Sequence, residues 1–179
     1  MARTDSAAVL LADGSRSTGR RLVAFLRGLG YEVDWVDTAE KAFNRLDERA
    51  FDVLVAELWF GHVDGMRLMS LAKARNPDIC VVFTTKEPEI DLATEAMRQG
   101  AYDFQTKPLN LAKLEAVIQR GLAHQRLVLE QVALKRRLDA QYGLGNLVGK
   151  SRGMLQVYGA VREAAGKTLP VLSRVRGRT

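Results

Sequence analysis

One short stretch near the middle of the chain restricts the fold more than any other. Residues Val53 to Ala56 form an uninterrupted apolar run that ends at Glu57. A run of this length is typical of a strand buried on both faces, as in a parallel sheet. The turn-like pair Asp64–Gly65 and a helical pattern follow it. We therefore expect an α/β fold with Glu57 at the carboxyl end of a central strand, where the chemistry of such sheets is usually found.

The same alternation of β-rich and helical patterns extends over about 125 residues, a usual domain length. The β-rich runs are residues 7–12, 32–36, 53–56, 79–84 and 102–105, and the helical patterns are 17–29, 39–46, 65–75, 89–99 and 110–142. Strands that alternate with helices over short connections form parallel sheets covered on both faces. The sequence predicts a five-stranded, parallel, doubly wound sheet with a long C-terminal helix, and a half-exposed edge strand over 32–36, where polar and apolar residues alternate.

The fifth helical pattern is longer than a compact domain requires. It runs from Asn110 to about Tyr142 without a proline, which is about 50 Å at 1.5 Å per residue. Its apolar residues form a main stripe, interrupted by Gln125, and a weaker second stripe. The main stripe is Leu111, Leu114, Ile118, Leu122, Leu129 and Val132, and the second is Leu127, Leu134 and Leu138. We interpret residues 110–142 as a linker helix whose stripe forms a homodimer seam, with a solvated linker as the alternative.

Composition excludes several classes of protein. The single cysteine, Cys80, cannot form an internal disulfide and fits a reducing, cytoplasmic environment. No apolar run approaches the roughly 20 residues that span a bilayer, so no membrane segment is expected. Residues 143–179 contain seven Lys and Arg but one Glu, a surplus equal to the whole net charge of +6. Nucleic-acid binding would therefore depend on this tail alone.

Four side chains fall at the carboxyl ends of predicted strands: Asp13, Glu57, Thr85 and Lys107. Lys107 lies near the end of the run Gly-Ala-Tyr-Asp-Phe-Gln-Thr-Lys-Pro, which spans residues 100–108. In order and spacing these marks resemble the receiver domain of bacterial two-component response regulators, over roughly residues 7–125. The resemblance implies the flavodoxin-like or CheY-like version of the doubly wound fold.

The resemblance also implies roles for individual residues. In that family an aspartate at the central strand end accepts a phosphoryl group from a histidine kinase, and an acidic pair after the first strand holds Mg²⁺. By this likeness Thr85 would bind a phosphoryl oxygen, Lys107 would pair with it, and Phe104 would report the switch. Asp13 would be the remaining Mg²⁺ ligand.

Two positions depart from the family pattern. Glu57 stands at the acceptor position instead of aspartate, and Gly14 stands at the second acidic position. Because Mg²⁺ requires several well-placed oxygen ligands, we expect weak binding at best. Three interpretations remain open: a pseudo-receiver fixed in one state by Glu57 contacting Lys107 and Thr85, a domain answering to another ligand or partner, and a working phosphoacceptor. None of them makes the chain an enzyme.

The tail carries a second resemblance. Residues 147–168 resemble the opening of the AAA+ ATPase domain of sigma-54-dependent activators of the NtrC-like type, which follows a receiver and a linker helix. The phosphate-binding pattern G-x-x-x-x-G-K-[ST] is absent, and Gly166-Lys167-Thr168 is only a fragment of it. We therefore predict a receiver-like domain over 1–125, a linker over 110–142, and a truncated or frameshifted ATPase start over 143–179. A basic tail that binds nucleic acid is the alternative.

Overall fold

The computed structural model describes residues 6–60, 63–87 and 90–142, together with 153, 154, 156, 157 and 159. The chain divides into two compact units, Met1–Leu127 and Val128–Thr179. Most of the tail predicted over 143–179 lies outside the described residues. No helix in the described residues is long and apolar enough to cross a membrane.

Strands and helices alternate along the first unit, as the sequence predicts. In chain order the elements are β1 Ala8–Ala12, α1 Arg16–Gly28, β2 Glu32–Val36, α2 Ala39–Glu48, β3 Val53–Glu57, β4 Trp59–Phe60, β5 Val63–Asp64, α3 Gly65–Arg75, β6 Cys80–Thr85, α4 Ile90–Arg98, β7 Asp103–Thr106 and α5 Leu111–Tyr142. Most boundaries lie within one or two residues of the prediction. The short strands β4 and β5 are the exception, because a loop is predicted there.

Five strands form one parallel sheet in the order β2-β1-β3-β6-β7. The prediction of a parallel, doubly wound sheet is confirmed, and β2 occupies an edge as its alternating pattern indicates. In this order the strands β1, β3, β6 and β7 are consecutive neighbours. Their carboxyl ends therefore meet along one edge of the sheet.

Two apolar cores cover the two faces of the sheet. On one face, side chains of β1, β3 and β6 pack with residues of α2, α3 and α4, including Ala42, Leu68 and Ala96. On the other face, alternate residues of the same strands pack with α1 and α5, including Leu22 and Ile118. Residues 53–56 have no exposed surface. The apolar run at the centre of the sequence is thus a strand buried on both sides.

A β-hairpin replaces the loop predicted after the central strand. Strand β4 pairs antiparallel with β5, and Asp64 then caps α3 by accepting a hydrogen bond from the Met66 amide at 2.8 Å. A Cβ on Gly65 would lie 2.6 Å from the Glu57 carbonyl oxygen. The predicted turn-like pair is thus present, because the Asp64 side chain bonds to the backbone two residues on at the start of α3. The loop predicted before it is wrong, since it holds the hairpin, and Gly65 permits close packing on β3.

Helix α5 uses the first half of its apolar stripe inside the domain. Leu114 and Ile118 are completely buried in the second core, and Leu111 and Leu122 pack against it. These four residues are not available for a dimer seam, so the prediction of a seam running from Leu111 is wrong in that part. The large apolar side chains that remain exposed farther along α5 are Leu127, Leu129, Val132 and Leu134.

Candidate functional site

The predicted site residues lie on adjacent strand ends. Asp13 directly follows β1, Glu57 is the last residue of β3, Thr85 is the last of β6, and Lys107 directly follows β7. The Lys107 side chain contacts those of both Asp13 and Glu57, whereas the Thr85 hydroxyl bonds within its own loop. The carboxyl edge of the sheet is therefore the candidate functional site.

Asp13 is the most deeply buried charge of the site. Its amide donates to the Val36 carbonyl at 3.1 Å, which extends the pairing of β1 with β2. Its side chain is only 2% exposed, and Oδ1 accepts a hydrogen bond from the Ser15 amide at 2.8 Å. The other oxygen, Oδ2, accepts a hydrogen bond from Lys107 Nζ at 2.7 Å. Both carboxylate oxygens are thus engaged within the chain.

Lys107 contacts a second carboxylate as well. Its Nζ donates a close hydrogen bond to Glu57 Oε1, and the two side chains are 11% and 14% exposed. The ammonium group therefore bridges Asp13 and Glu57 in a partly dehydrated environment. Charge-assisted hydrogen bonds of this kind are stronger than neutral ones.

Gly14 adds a donor where the family pattern has an acidic residue. Its backbone amide donates to Glu57 Oε2 at 3.2 Å, so both oxygens of Glu57 are also engaged. A Cβ at this position would meet Phe60 at 3.5 Å and Glu57 Oε2 at 3.7 Å. These are ordinary van der Waals distances, so a side chain at position 14 would fit without a steric clash at its Cβ.

Thr85 does not make the contact expected of it. Its hydroxyl donates to the Glu87 carbonyl at 2.9 Å and accepts from the Glu87 amide at 3.3 Å. Those bonds turn the hydroxyl onto its own loop, so the predicted hydrogen bond from Thr85 to Glu57 is absent. The backbone still links the two switch positions, because the Lys107 amide donates to the Thr85 carbonyl at 2.7 Å.

Phe104 lies in β7, in register with Phe83 of β6. Its ring is partly buried and packs against the first core. Phe104 lies three residues before Lys107 on the same strand end, and its role as a reporter stays a prediction.

The residues of this edge do not suit Mg²⁺. That ion requires near-octahedral oxygen ligands, yet Lys107 holds an oxygen of each carboxylate and Gly14 presents an N–H. In the part of the chain that the structure describes, no group of three His, Cys, Asp or Glu is arranged to hold a metal. The expected weak ligand, Asp13, is committed to hydrogen bonds on both oxygens.

An open cleft of about 480 Å³ lies beside Glu57. Its lining includes Gly14, Trp59, Thr85 and Lys86. Trp59 is 54% exposed, so this wall of the cleft is open to solvent. The sequence pattern does not reveal the hairpin that carries Trp59. The position of this aromatic residue, two residues after Glu57, is nevertheless a sequence signal that it lies close to the site.

Cys80, in contrast, is excluded as a nucleophile. The thiol is buried at the start of β6, beneath α5. Burial, assisted by the negative charge of Asp103, raises the pKa of Cys80 to about 12. Because the thiolate is the reactive form, this cysteine stays inert in the folded domain, as its apolar surroundings in the sequence predict.

The family described as response regulator receiver domain matches residues 9–119 of this chain. Among curated proteins, the transcriptional regulatory protein ZraR of Escherichia coli O157:H7 is 31% identical over 169 residues, which cover 94% of this chain and 37% of ZraR. The regulatory protein LuxO of Vibrio vulnificus is 30% identical over 146 residues, which cover 79% of this chain and 30% of LuxO. The chain thus spans about a third of the length of these relatives.

Solved structures give the same result. The solution structure of the beryllofluoride-activated NtrC4 receiver domain dimer is 29% identical, with a TM-score of 0.61 over 65% of this chain and 97% of that one. The crystal structure of NtrX from Brucella abortus is 27% identical, with a TM-score of 0.69 over 89% of this chain and 35% of that one.

Proposed function

The chain belongs to the response regulator receiver domain family, and we propose that it is an atypical receiver whose state does not depend on phosphorylation. One observation supports this proposal above the others: the Lys107 ammonium bridges Asp13 and Glu57. A lysine that is expected to pair with a phosphoryl group is already paired with two carboxylates of its own chain.

The charges of the site favour this closed arrangement. Two carboxylates and one ammonium group leave a surplus of one negative charge among three side chains that are at most 14% exposed. Transfer of a phosphoryl group to a Glu57 oxygen replaces one carboxylate charge with about −1.5 to −2 at neutral pH, so the negative surplus grows from one to about 1.5 to 2. Without a divalent cation, this added charge opposes phosphorylation of Glu57.

The position of Glu57 supports the same conclusion. Its extra methylene, relative to aspartate, lets one carboxylate reach both Lys107 Nζ and the Gly14 amide. Phosphoryl transfer depends on an acceptor oxygen that is free and aligned with the donor. Since both oxygens of Glu57 accept hydrogen bonds, the acceptor would first have to leave these partners.

A phosphodonor experiment tests the proposal. The full chain is incubated with acetyl phosphate and MgCl₂, and intact mass is measured. We expect no added phosphoryl mass on the natural chain. The matched control is the double variant Gly14→Asp with Glu57→Asp, which restores both acidic positions of the family pattern and should gain one phosphoryl group. Stable phosphorylation of the natural chain, lost in Glu57→Gln, would replace this proposal with the phosphoacceptor alternative.

We further propose that the chain acts in transcription regulation as a homodimer. Proteins named as transcriptional regulatory protein ZraR match most of its length, and one structural neighbour is a receiver domain dimer. Leu127 and Leu134 are exposed and lie seven residues apart on α5, a spacing that places them on one helical face. We assign the face of α5 that carries Leu127 and Leu134, called the Leu face below, as the dimer interface, which would pack against the same face of a second copy.

Sedimentation of the full chain tests the dimer. Leu127→Lys with Leu134→Lys should convert a dimer into a monomer at tens of micromolar. The control variant is Ala133→Lys, since that residue is exposed on the same helix but off the Leu face. A natural chain that sediments as a monomer, or a control variant that dissociates equally, would contradict the assigned face.

The remaining parts of the proposal concern partners and chemistry. We propose a signalling protein of the cytoplasm without enzymatic activity, of the sigma-54 activator type, with a histidine kinase or another regulatory protein as partner. Measurement of phosphate release from ATP checks the absence of catalysis. Release above a blank that is lost in Lys167→Ala would contradict it.

A further inference from the structure

Helix α5 contains a buried polar side chain that its apolar pattern does not explain. Gln125 is only 8% exposed, and its Nε2 donates to the Asp52 carbonyl at 2.8 Å. Among the described residues, the other buried polar side chains lie at the carboxyl edge of the sheet: Asp13, Thr84, Thr85 and Gln105. Asp52 precedes β3, so Gln125 lies at the opposite edge, away from the candidate site.

The acceptor of this hydrogen bond is a junction between strands. The Asp52 carbonyl also accepts from the Cys80 amide at 3.0 Å, and the Asp52 amide donates to the Ala8 carbonyl at 2.9 Å. The Asp52 carboxylate accepts from the Ala8 amide at 2.8 Å. One residue thus ties together the amino ends of β1, β3 and β6, and Gln125 attaches α5 to that point.

A second contact, one helical turn earlier, fixes the same part of α5. A Cβ on Gly121 would lie 2.3 Å from the Cys80 sulfur, so only glycine permits this close approach. Beyond it, Gln125 is the last buried side chain in the described part of α5; Val128 is partly exposed, and residues 129–137 are exposed. The buried face of the helix therefore ends at the amide of Gln125.

We propose that Gln125 is a latch that fixes where α5 leaves the sheet and how the helix is rotated at that point. A leucine at this position would be buried equally well, but apolar contacts are non-directional and would not fix the rotation of the helix. An amide, in contrast, requires its acceptor at a defined distance and angle. The latch also joins the helix to β3, the strand that carries Glu57 at its other end. It is independent of the phosphorylation proposal, because its contacts lie at the amino ends of the strands, and of the dimer proposal, because it is measurable within one chain.

Two variants remove the latch in different ways. Gln125→Met keeps the length and the burial but removes the donor, and Gln125→Asn keeps the amide but shortens its reach by one methylene. The control is Gln119→Met, because Gln119 is exposed on the same helix and its side-chain amide donates to Glu115, one turn away in the same helix. In the full chain we expect at least tenfold faster hydrogen exchange of amides 122–128 in both latch variants. Amides of β1 and β3 should exchange as in the natural chain.

Spin labels give an independent readout. Nitroxides are attached at Asn44→Cys and Arg126→Cys, both exposed positions of the first unit, and the labelled chain is diluted with unlabelled chain. The distance distribution should at least double in width with Gln125→Met and stay unchanged with Gln119→Met. Equal acceleration of exchange throughout the domain would show general destabilisation instead of a latch. Unchanged exchange in amides 122–128, or an unchanged distribution, would likewise overturn the proposal.

Discussion

Replacing Lys107 with methionine should destabilise the domain far more than the loss of an ordinary lysine. The substitution keeps an unbranched side chain but removes the ammonium from between Asp13 and Glu57. Asp13 is then a carboxylate with a 2% exposed side chain and no cation beside it. Removing one partner of a buried ion pair costs about 3–5 kcal/mol.

The structure places the expected cost at the lower end of that range. Asp13 keeps its hydrogen bond from the Ser15 amide, and the 14% exposed Glu57 keeps that from Gly14. We therefore expect a loss of about 3 kcal/mol. For a domain of this size each kcal/mol lowers Tm by about 3–4 °C, so Tm should fall by about 10 °C.

Urea unfolding and calorimetry of the full chain measure this loss. Lys73→Met is the matched control, because within the described residues the Lys73 ammonium donates to a backbone carbonyl, that of Gly100, and not to a carboxylate. This substitution should cost no more than about 1 kcal/mol. Adding Asp13→Asn to Lys107→Met removes the uncompensated charge, so the double variant should be more stable than Lys107→Met alone. Equal losses at Lys107 and Lys73, or simple additivity in the double variant, would refute the bridging role.

Three further predictions concern other contacts. Gly14→Asp should tighten Mg²⁺ binding at least tenfold, because the position has room for a second carboxylate; titration followed by Trp59 fluorescence measures it. Since the pKa of Cys80 is raised from 9.0 to about 12, iodoacetamide at pH 8 should modify this thiol only in urea. Because the thiol ionises above pH 9 in the unfolded chain but not in the folded one, the free energy of unfolding should fall as pH rises from 9 to 12. Gly121→Ala should cost about 1–3 kcal/mol, measured by urea unfolding, because the new methyl group meets the Cys80 sulfur.

The fold could be predicted because local patterns and topology agree. The apolar run before Glu57 has no polar side chain to expose, so it has to be a central strand. Thr38, a residue type that favours the first position before a helix, caps α2 by accepting a hydrogen bond from the Lys41 amide at 3.3 Å. The hairpin at Trp59–Phe60 was missed, because two-residue strands are too short to show a period.

The contacts within the site were only partly predictable. Parallel alternation is enough to bring Asp13, Glu57 and Lys107 to one edge. The reach of Lys107 to Asp13 is not predictable, because β6 and β3 lie between β7 and β1. The hydroxyl of Thr85 was placed wrongly, since a nearby backbone amide and carbonyl at Glu87 satisfy it locally.

Gln125 shows why a helical stripe is ambiguous in a sequence. Its polarity looked like an interruption of a dimer seam, but the residue is buried against Asp52. The apolar residues before it pack on the domain itself, at Leu114 and Ile118. Periodicity identifies which residues share a helical face but not what covers that face.

Amide spectra of the full chain test the central claim most directly, namely that Lys107 serves as the cation of this site and holds one state. Proton–nitrogen correlation spectra are recorded without additions, with Mg²⁺, and with Mg²⁺ plus beryllofluoride. The account predicts that the amides of Gly14, Glu57, Thr85 and Phe104 keep their positions under all three conditions. Saturable shifts that begin at Gly14 and spread to Phe104 would contradict it.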